Sequence, residues 1–135
     1  MITTDDTTQL VRDFGRVWDA DAPPDLVDRV FAPEVLDHDP QPDQRQGREG
    51  FRQLLDLYHR VFPDLRLTAD DVLVSEDRAV LRWHATGTHE GDQLGIPATH
   101  REIRFAGVDI VRVEGGRVVE RWGYSNELQV HQQLG

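Results

Sequence analysis

Arg101–Asn126 reads REIRFAGVDIVRVEGGRVVERWGYSN, and the fold turns on how this stretch pairs. Two runs rich in β-branched residues flank Gly115-Gly116. Glycine accepts positive φ at both central positions of a tight turn, so a two-residue β-hairpin is predicted here. With that turn, Val113 pairs with Val118, Val111 with Glu120, and Asp109 with Trp122. Side chains alternate along a strand, and opposed residues share a face. One face then holds Ile103, Phe105, Asp109, Val111, Val113, Val118, Glu120 and Trp122, continued by Tyr124 and Asn126. The other holds Arg104, Val108, Ile110, Arg112, Val119 and Arg121. The first face sets Asp109, Glu120 and Asn126 among apolar and aromatic groups, where polar side chains need partners or line a pocket. A one-residue bulge would invert the phase beyond it.

Outward from the hairpin, the chain adds strands before it and helices before those. Leu65–Val74 and Ala79–His89 read as strands joined by a turn at Glu76-Asp77-Arg78. Glu90–Thr99 (EGDQLGIPAT) is a crossing loop, too rich in Gly and Pro for regular structure. Glu49–Val61 is a helix whose apolar stripe is Phe51, Leu54, Leu55, Tyr58 and Val61. Asp5 to about Ala20 is another, with Leu10, Val11, Phe14, Val17 and Trp18 at helical spacing. Pro24 opens a short second helix through Phe31, closed by Pro33. Val35–Pro40 is a short extended segment, Gln41–Gly47 a polar loop, and Glu127–Leu134 a closing helix. Helices first, then four strands with short connections, predict an α+β domain with an antiparallel sheet. Strongly curved and closed by helices, such a sheet forms a cone with an apolar interior.

At 135 residues the chain fits one domain. Its net charge of −10 argues against nucleic acid or an anionic membrane as partner. The absence of cysteine excludes disulfides and thiol chemistry. No apolar run approaches about 20 residues, and MITTDDTTQLV lacks the features of a signal peptide, so a cytoplasmic protein is expected. No HxH or HExxH spacing occurs, and no metal is expected.

Several pieces, in order, resemble one known family. They are DHDP at Asp37–Pro40, GREGFRQLL at Gly47–Leu55 and FPDLRLTADDVL at Phe62–Leu73. They continue with RWHATGTHEGDQLGIPAT at Arg82–Thr99, GVDIVRVEGGRVVERW at Gly107–Trp122 and QQLG at Gln132–Gly135. Together they resemble the SnoaL-like polyketide cyclases, within the superfamily of nuclear transport factor two and ketosteroid isomerase. The resemblance implies the conical α+β fold, a homodimer through the outer face of the sheet, and cofactor-free ring closure of a polyketide ester by general acid/base catalysis. It also implies a departure. The family's proton-transfer residue is an Asp four positions after the Trp of an E-x-W motif. Here that Trp is Trp122 and the fourth residue on is Asn126. An amide can hydrogen-bond a carbonyl but cannot exchange a proton near neutral pH.

Proton transfer therefore has two other candidates. His38 lies between two aspartates, and an imidazole titrates near working pH. Asp109 sits on the apolar hairpin face, where burial would raise its pKa. Each also has a structural reading, as a turn histidine or as a buried carboxylate satisfied by an arginine. Tyr58, Phe105 and Trp122 are candidate substrate contacts, although core packing is the commoner role of a stripe residue such as Tyr58 or Trp18. Arg82 and His84 share strand parity opposite to Trp83. They face the cavity if Trp83 does not, and are counted as candidate contacts. His89 and His100 flank the crossing loop and are read as structural or exposed. Two alternatives stand beside the cyclase: a non-catalytic dimer that binds a small molecule, and an epoxide hydrolase using a carboxylate–Arg–carboxylate cluster, for which Arg82 and Asp109 supply part.

Overall fold

In the computed structural model, which describes residues 3–135, Thr3 begins the first helix with a reciprocal cap. Its hydroxyl accepts the Asp6 N–H at 3.0 Å, and its own N–H donates to the Asp6 carboxylate at 3.1 Å. Helix α1 (Thr4–Arg16) buries Val11 and Phe14. After α2 (Leu26–Val30) the chain enters strand β1 (Phe31–Asp37), then α3 (Arg48–Val61). Strands β2 (Arg66–Ser75), β3 (Arg78–Thr88), β4 (Glu102–Glu114) and β5 (Arg117–Ser125) follow, and α4 (Glu127–Leu134) closes the chain. No helix among the described residues is long and apolar enough to cross a membrane.

The α+β expectation holds, with one addition. The sheet has five strands in the order β1-β5-β4-β3-β2. The segment read as merely extended before Pro40 is part of β1, which pairs with β5 in parallel, so the sheet is mixed. Long-range parallel pairing leaves no local signal in a strand this short. Phe31 anchors β1, stacked on Phe51 of α3 at 4.2 Å and edge-on to Phe14 of α1 at 5.8 Å. This cluster ties both long helices to one face of the sheet.

The hairpin turn is where the glycines put it, with φ of 62° at Gly115 and 77° at Gly116. Val113 pairs with Val118 as predicted. The register then shifts, and Arg112 pairs with Glu120, leaving Val119 as an extra residue in β5. Beyond it Val111 faces Arg121 and Asp109 faces Gly123, not Glu120 and Trp122. This corrects the expected face of β5. Glu120 and Trp122 turn to the outer side of the sheet, and Arg121 turns inward.

Candidate functional site

The inner face of β3 and β4 carries alternating buried residues: Ala79, Leu81, Trp83 and Ala85 on β3, and Ile103, Asp109, Val111 and Val113 on β4. The helices do not fill the space above them. A cavity of about 480 Å³ remains, walled by Trp18, Tyr58, Leu81, Trp83 and Phe105, with Asp109 and Arg121 as its deepest charged groups.

Asp109 is 2% exposed. Its Oδ1 accepts the indole N–H of Trp83 at 3.1 Å, and its Oδ2 accepts Arg121 Nε–H at 3.1 Å. Arg121 Nη1 donates to both oxygens of Asp37, at 3.1 and 3.2 Å. One guanidinium thus joins two carboxylates, with the Arg121, Asp37 and Asp109 side chains only 11%, 7% and 3% exposed. Its plane also lies over Trp18, with Cζ 5.6 Å from the ring centroid. The residues after Asp37 complete the support. Asp37 accepts the Asp39 N–H at 3.0 Å and Gln44 Nε2–H at 2.9 Å, and Asp39 accepts the Gly123 N–H at 2.8 Å. Neither Asp109 nor Asp37 engages Arg121 Nη2.

Burial raises the Asp109 pKa above the ordinary carboxylate range. The charge on Arg121 and the hydrogen bonds from Trp83 and Arg121 oppose that rise. The Tyr58 hydroxyl is also pushed up, first by burial and then by the charge of Glu127. Tyr58 therefore stays protonated and can only donate or accept a hydrogen bond. Its ring packs edge-on to Trp18 at 5.9 Å, and Phe105 packs edge-on to Trp83 at 5.7 Å. The arrangement can remove a proton from a carbon acid at Asp109 and polarise an oxygen with Arg121 and Tyr58.

Of the residues singled out from sequence, Asp109, Tyr58 and Phe105 meet at this cavity. The others lie elsewhere. Trp122 is on the outer face, stacked on His38 at 4.5 Å with Arg78 on its ring at 5.2 Å. His38 is hydrogen-bonded to Glu120 at 2.8 Å, and Glu120 also accepts from Arg112 at 2.6 Å. Glu120 thus pairs with an arginine, but on the outer side rather than the expected inner face. Because Trp83 faces inward, Arg82 and His84 face outward, and His84 pairs with Asp70 at 2.7 Å. Asn126 is an exposed residue at the start of α4. Its N–H donates to the Ala106 carbonyl at 3.0 Å and its carbonyl accepts the Gln129 N–H at 3.1 Å. His89 is fully buried, and its Nδ1 accepts the Thr99 N–H at 3.1 Å. Among the described residues no group of three or more His, Asp or Glu side chains is placed to hold a metal ion.

Reading from sequence missed Arg121, Asp37 and Trp83. Unbroken alternation points Arg121 outward, and of the arginines it offers Arg82 as the partner of a carboxylate cluster. The bulge at Val119 reverses the first expectation and the inward Trp83 the second. An inward Trp83 excludes Arg82, and Arg121 comes inward only once Val119 is counted as an extra residue of β5.

A model of the SnoaL-like polyketide cyclase family matches residues 8–134. Among solved structures, TsrD from Streptomyces laurentii is 32% identical, with a TM-score of 0.89 over 100% of this chain and 98% of that one. A candidate polyketide cyclase from Bacillus cereus is 25% identical, with a TM-score of 0.83 over 96% and 80% of the two chains. IdmH from Streptomyces antibioticus, also a candidate polyketide cyclase, is 25% identical, with a TM-score of 0.81 over 94% and 96%. A search of curated proteins gives no match.

Proposed function

Because the chain belongs to the SnoaL-like polyketide cyclase family, we propose that it closes a ring in a polyketide-derived aromatic ester of secondary metabolism, without a cofactor. One observation carries this reading: a buried carboxylate of raised pKa, Asp109, at the wall of a cavity lined by aromatic rings. A base tuned toward working pH is what abstraction of a proton next to a carbonyl requires. The Asp109 carboxylate takes that proton. The carbon so freed attacks a second carbonyl carbon of the same molecule, forming the new C–C bond. The attacked C=O becomes an alkoxide held by Arg121 Nη2 and the Tyr58 hydroxyl, and the proton on Asp109 is returned to it. Atoms balance and the product is an isomer of the substrate. Asp109 supplies the proton transfer that the amide of Asn126 cannot.

The test is turnover of polyketide esters by Asp109→Asn, with ligand binding measured alongside. Full activity in a folded Asp109→Asn protein would remove the assignment. Binding with no turnover by the native protein, on any ester tried, would favour the non-catalytic binder.

The Asp37–Arg121–Asp109 cluster favours one second reading, hydrolysis of an epoxide. There a carboxylate deprotonates water, the water oxygen attacks an epoxide carbon, and the opened oxygen takes a proton from the paired acid. Mass separates the two, since hydrolysis adds one water and cyclisation adds nothing.

We further propose a homodimer through the outer face of the sheet, where His38, Trp122 and Arg78 stack. Sedimentation of the native protein and of Trp122→Ala tests it, with a shift toward monomer expected in the variant.

A further inference from the structure

The charges around the cavity are one-sided. Among the described residues Arg121 is its one basic lining residue, beside Asp39, Asp109 and Glu127. That guanidinium is already engaged by Asp109 at 3.1 Å and by Asp37 at 3.1 Å. Asp39 commits Oδ2 to the Gly123 N–H at 2.8 Å, and its Oδ1 has no partner among the described residues. Glu127, in the first turn of α4, forms no ion pair among the described residues. The field of Glu127 reaches Tyr58 in the cavity wall. After burial, the Glu127 charge is the next cause of the raised Tyr58 pKa; Arg121 opposes it, and Asp109 and Asp37 add smaller contributions.

The remaining walls are aromatic faces and edges. Trp18 already holds a cation over its ring, at 5.6 Å. Aromatic faces with carboxylates beside them attract an ammonium ion and repel an anion. A carboxylate guest would find a guanidinium already bridging two carboxylates, with only Nη2 open, and two further acids without a balancing cation. A neutral guest would gain nothing from those acids. An ammonium group would enter a cavity whose lining includes Asp39, Glu127 and aromatic rings.

We propose that the ligand of this cavity carries a protonated amine on its aromatic framework, that Asp39 and Glu127 select for it, and that the free carboxylic acid of the same framework is excluded. This rests on reading the cavity as the substrate site, and goes beyond it by fixing the charge of the guest.

Calorimetric titration with naphthylmethylamine, naphthylmethanol and naphthoate at about pH 7 and low salt tests the inference. The amine is expected to bind about tenfold more tightly than the alcohol, and the naphthoate most weakly. Glu127→Gln and Asp39→Asn should each reduce the advantage of the amine severalfold. Glu127 is exposed, so its variant keeps the test valid if Asp39→Asn fails to fold. Equal binding of amine and alcohol, or naphthoate binding most tightly, overturns the inference and leaves the cavity as a substrate site. An undiminished preference in both variants also overturns it. Binding of none of the three overturns it together with the reading of the cavity. Failure of the cyclase reading alone shows instead as unchanged ester turnover in Asp109→Asn.

Discussion

Trp83 reaches diagonally across two strands to Asp109. Its indole N–H donates to Oδ1 at 3.1 Å, although its direct partner in β4 is Gly107 and the direct partner of Asp109 in β3 is Leu81. Gly107 permits the reach, because a Cβ there would stand 2.5 Å from Trp83 Cζ2. The bond favours the charged carboxylate, while burial favours the neutral acid. Trp83 therefore acts on Asp109 in two ways, walling it from water and restraining the pKa rise that this causes.

Asp109→Asn is expected to lower turnover by about 10²–10⁴-fold, the usual worth of a positioned acid/base group. It should also change the pH dependence of stability. A carboxyl whose pKa is raised by folding favours the native state below its unfolded pKa. That contribution is lost as pH rises from the ordinary carboxylate range through the raised value. Thermal melts across that window should show a flatter pH dependence in the variant.

Trp83→Phe removes a hydrogen bond that lowers the Asp109 pKa. If Asp109 is the base proposed above, the acid limb of the kcat/KM profile should move to higher pH. Loss of activity with the limb in place would mean that Trp83 only shapes the cavity.

Arg121→Gln leaves Asp109 and Asp37 buried without their cation. Removing one partner of such a group costs about 3–5 kcal/mol. Chemical denaturation should show a loss of that order, largely recovered at low pH where both carboxyls are protonated. Adding Asp109→Asn to Arg121→Gln should cost less than the two single changes summed, because the groups share one network.

Much of this was legible in the sequence, and the failures have specific causes. Helices α1 and α3 announced themselves because Val11 and Phe14, and Phe51 and Leu54, recur at the helical period. The Gly115-Gly116 turn fixed its hairpin because few residues tolerate that backbone. Asp109 was found inside because it precedes the bulge, counting from Val113 back along β4. Arg121 and Trp122 were exchanged because a single extra residue has no compositional mark. The contribution of Asp37 was hidden because β1 meets β5 across more than eighty residues of sequence.

Gly123→Ala tests the seat of Arg121. A Cβ on Gly123 would collide with the guanidinium, which Trp18 and two carboxylates hold in place. The expected cost is about 1–3 kcal/mol, typical of overpacking, with reduced turnover. Unchanged stability and kinetics would show that Arg121 relaxes freely.

Asn126→Asp is expected to leave turnover within about twofold. The residue is exposed, and its side chain makes no capping bond to α4. A new carboxylate at that helix start should raise stability by about 0.5 kcal/mol at most. A large gain in cyclase activity would instead place proton transfer at position 126 and remove it from Asp109.

The supernumerary Val119 gives β5 two allegiances. Up to Val118 its alternation belongs to the core beside Phe31, and past the interruption it belongs to the guest chamber. Deleting that one valine would restore strict alternation and exchange the sides of every residue after it. A tryptophan would then confront the guest, and an arginine would be left facing solvent without its acids.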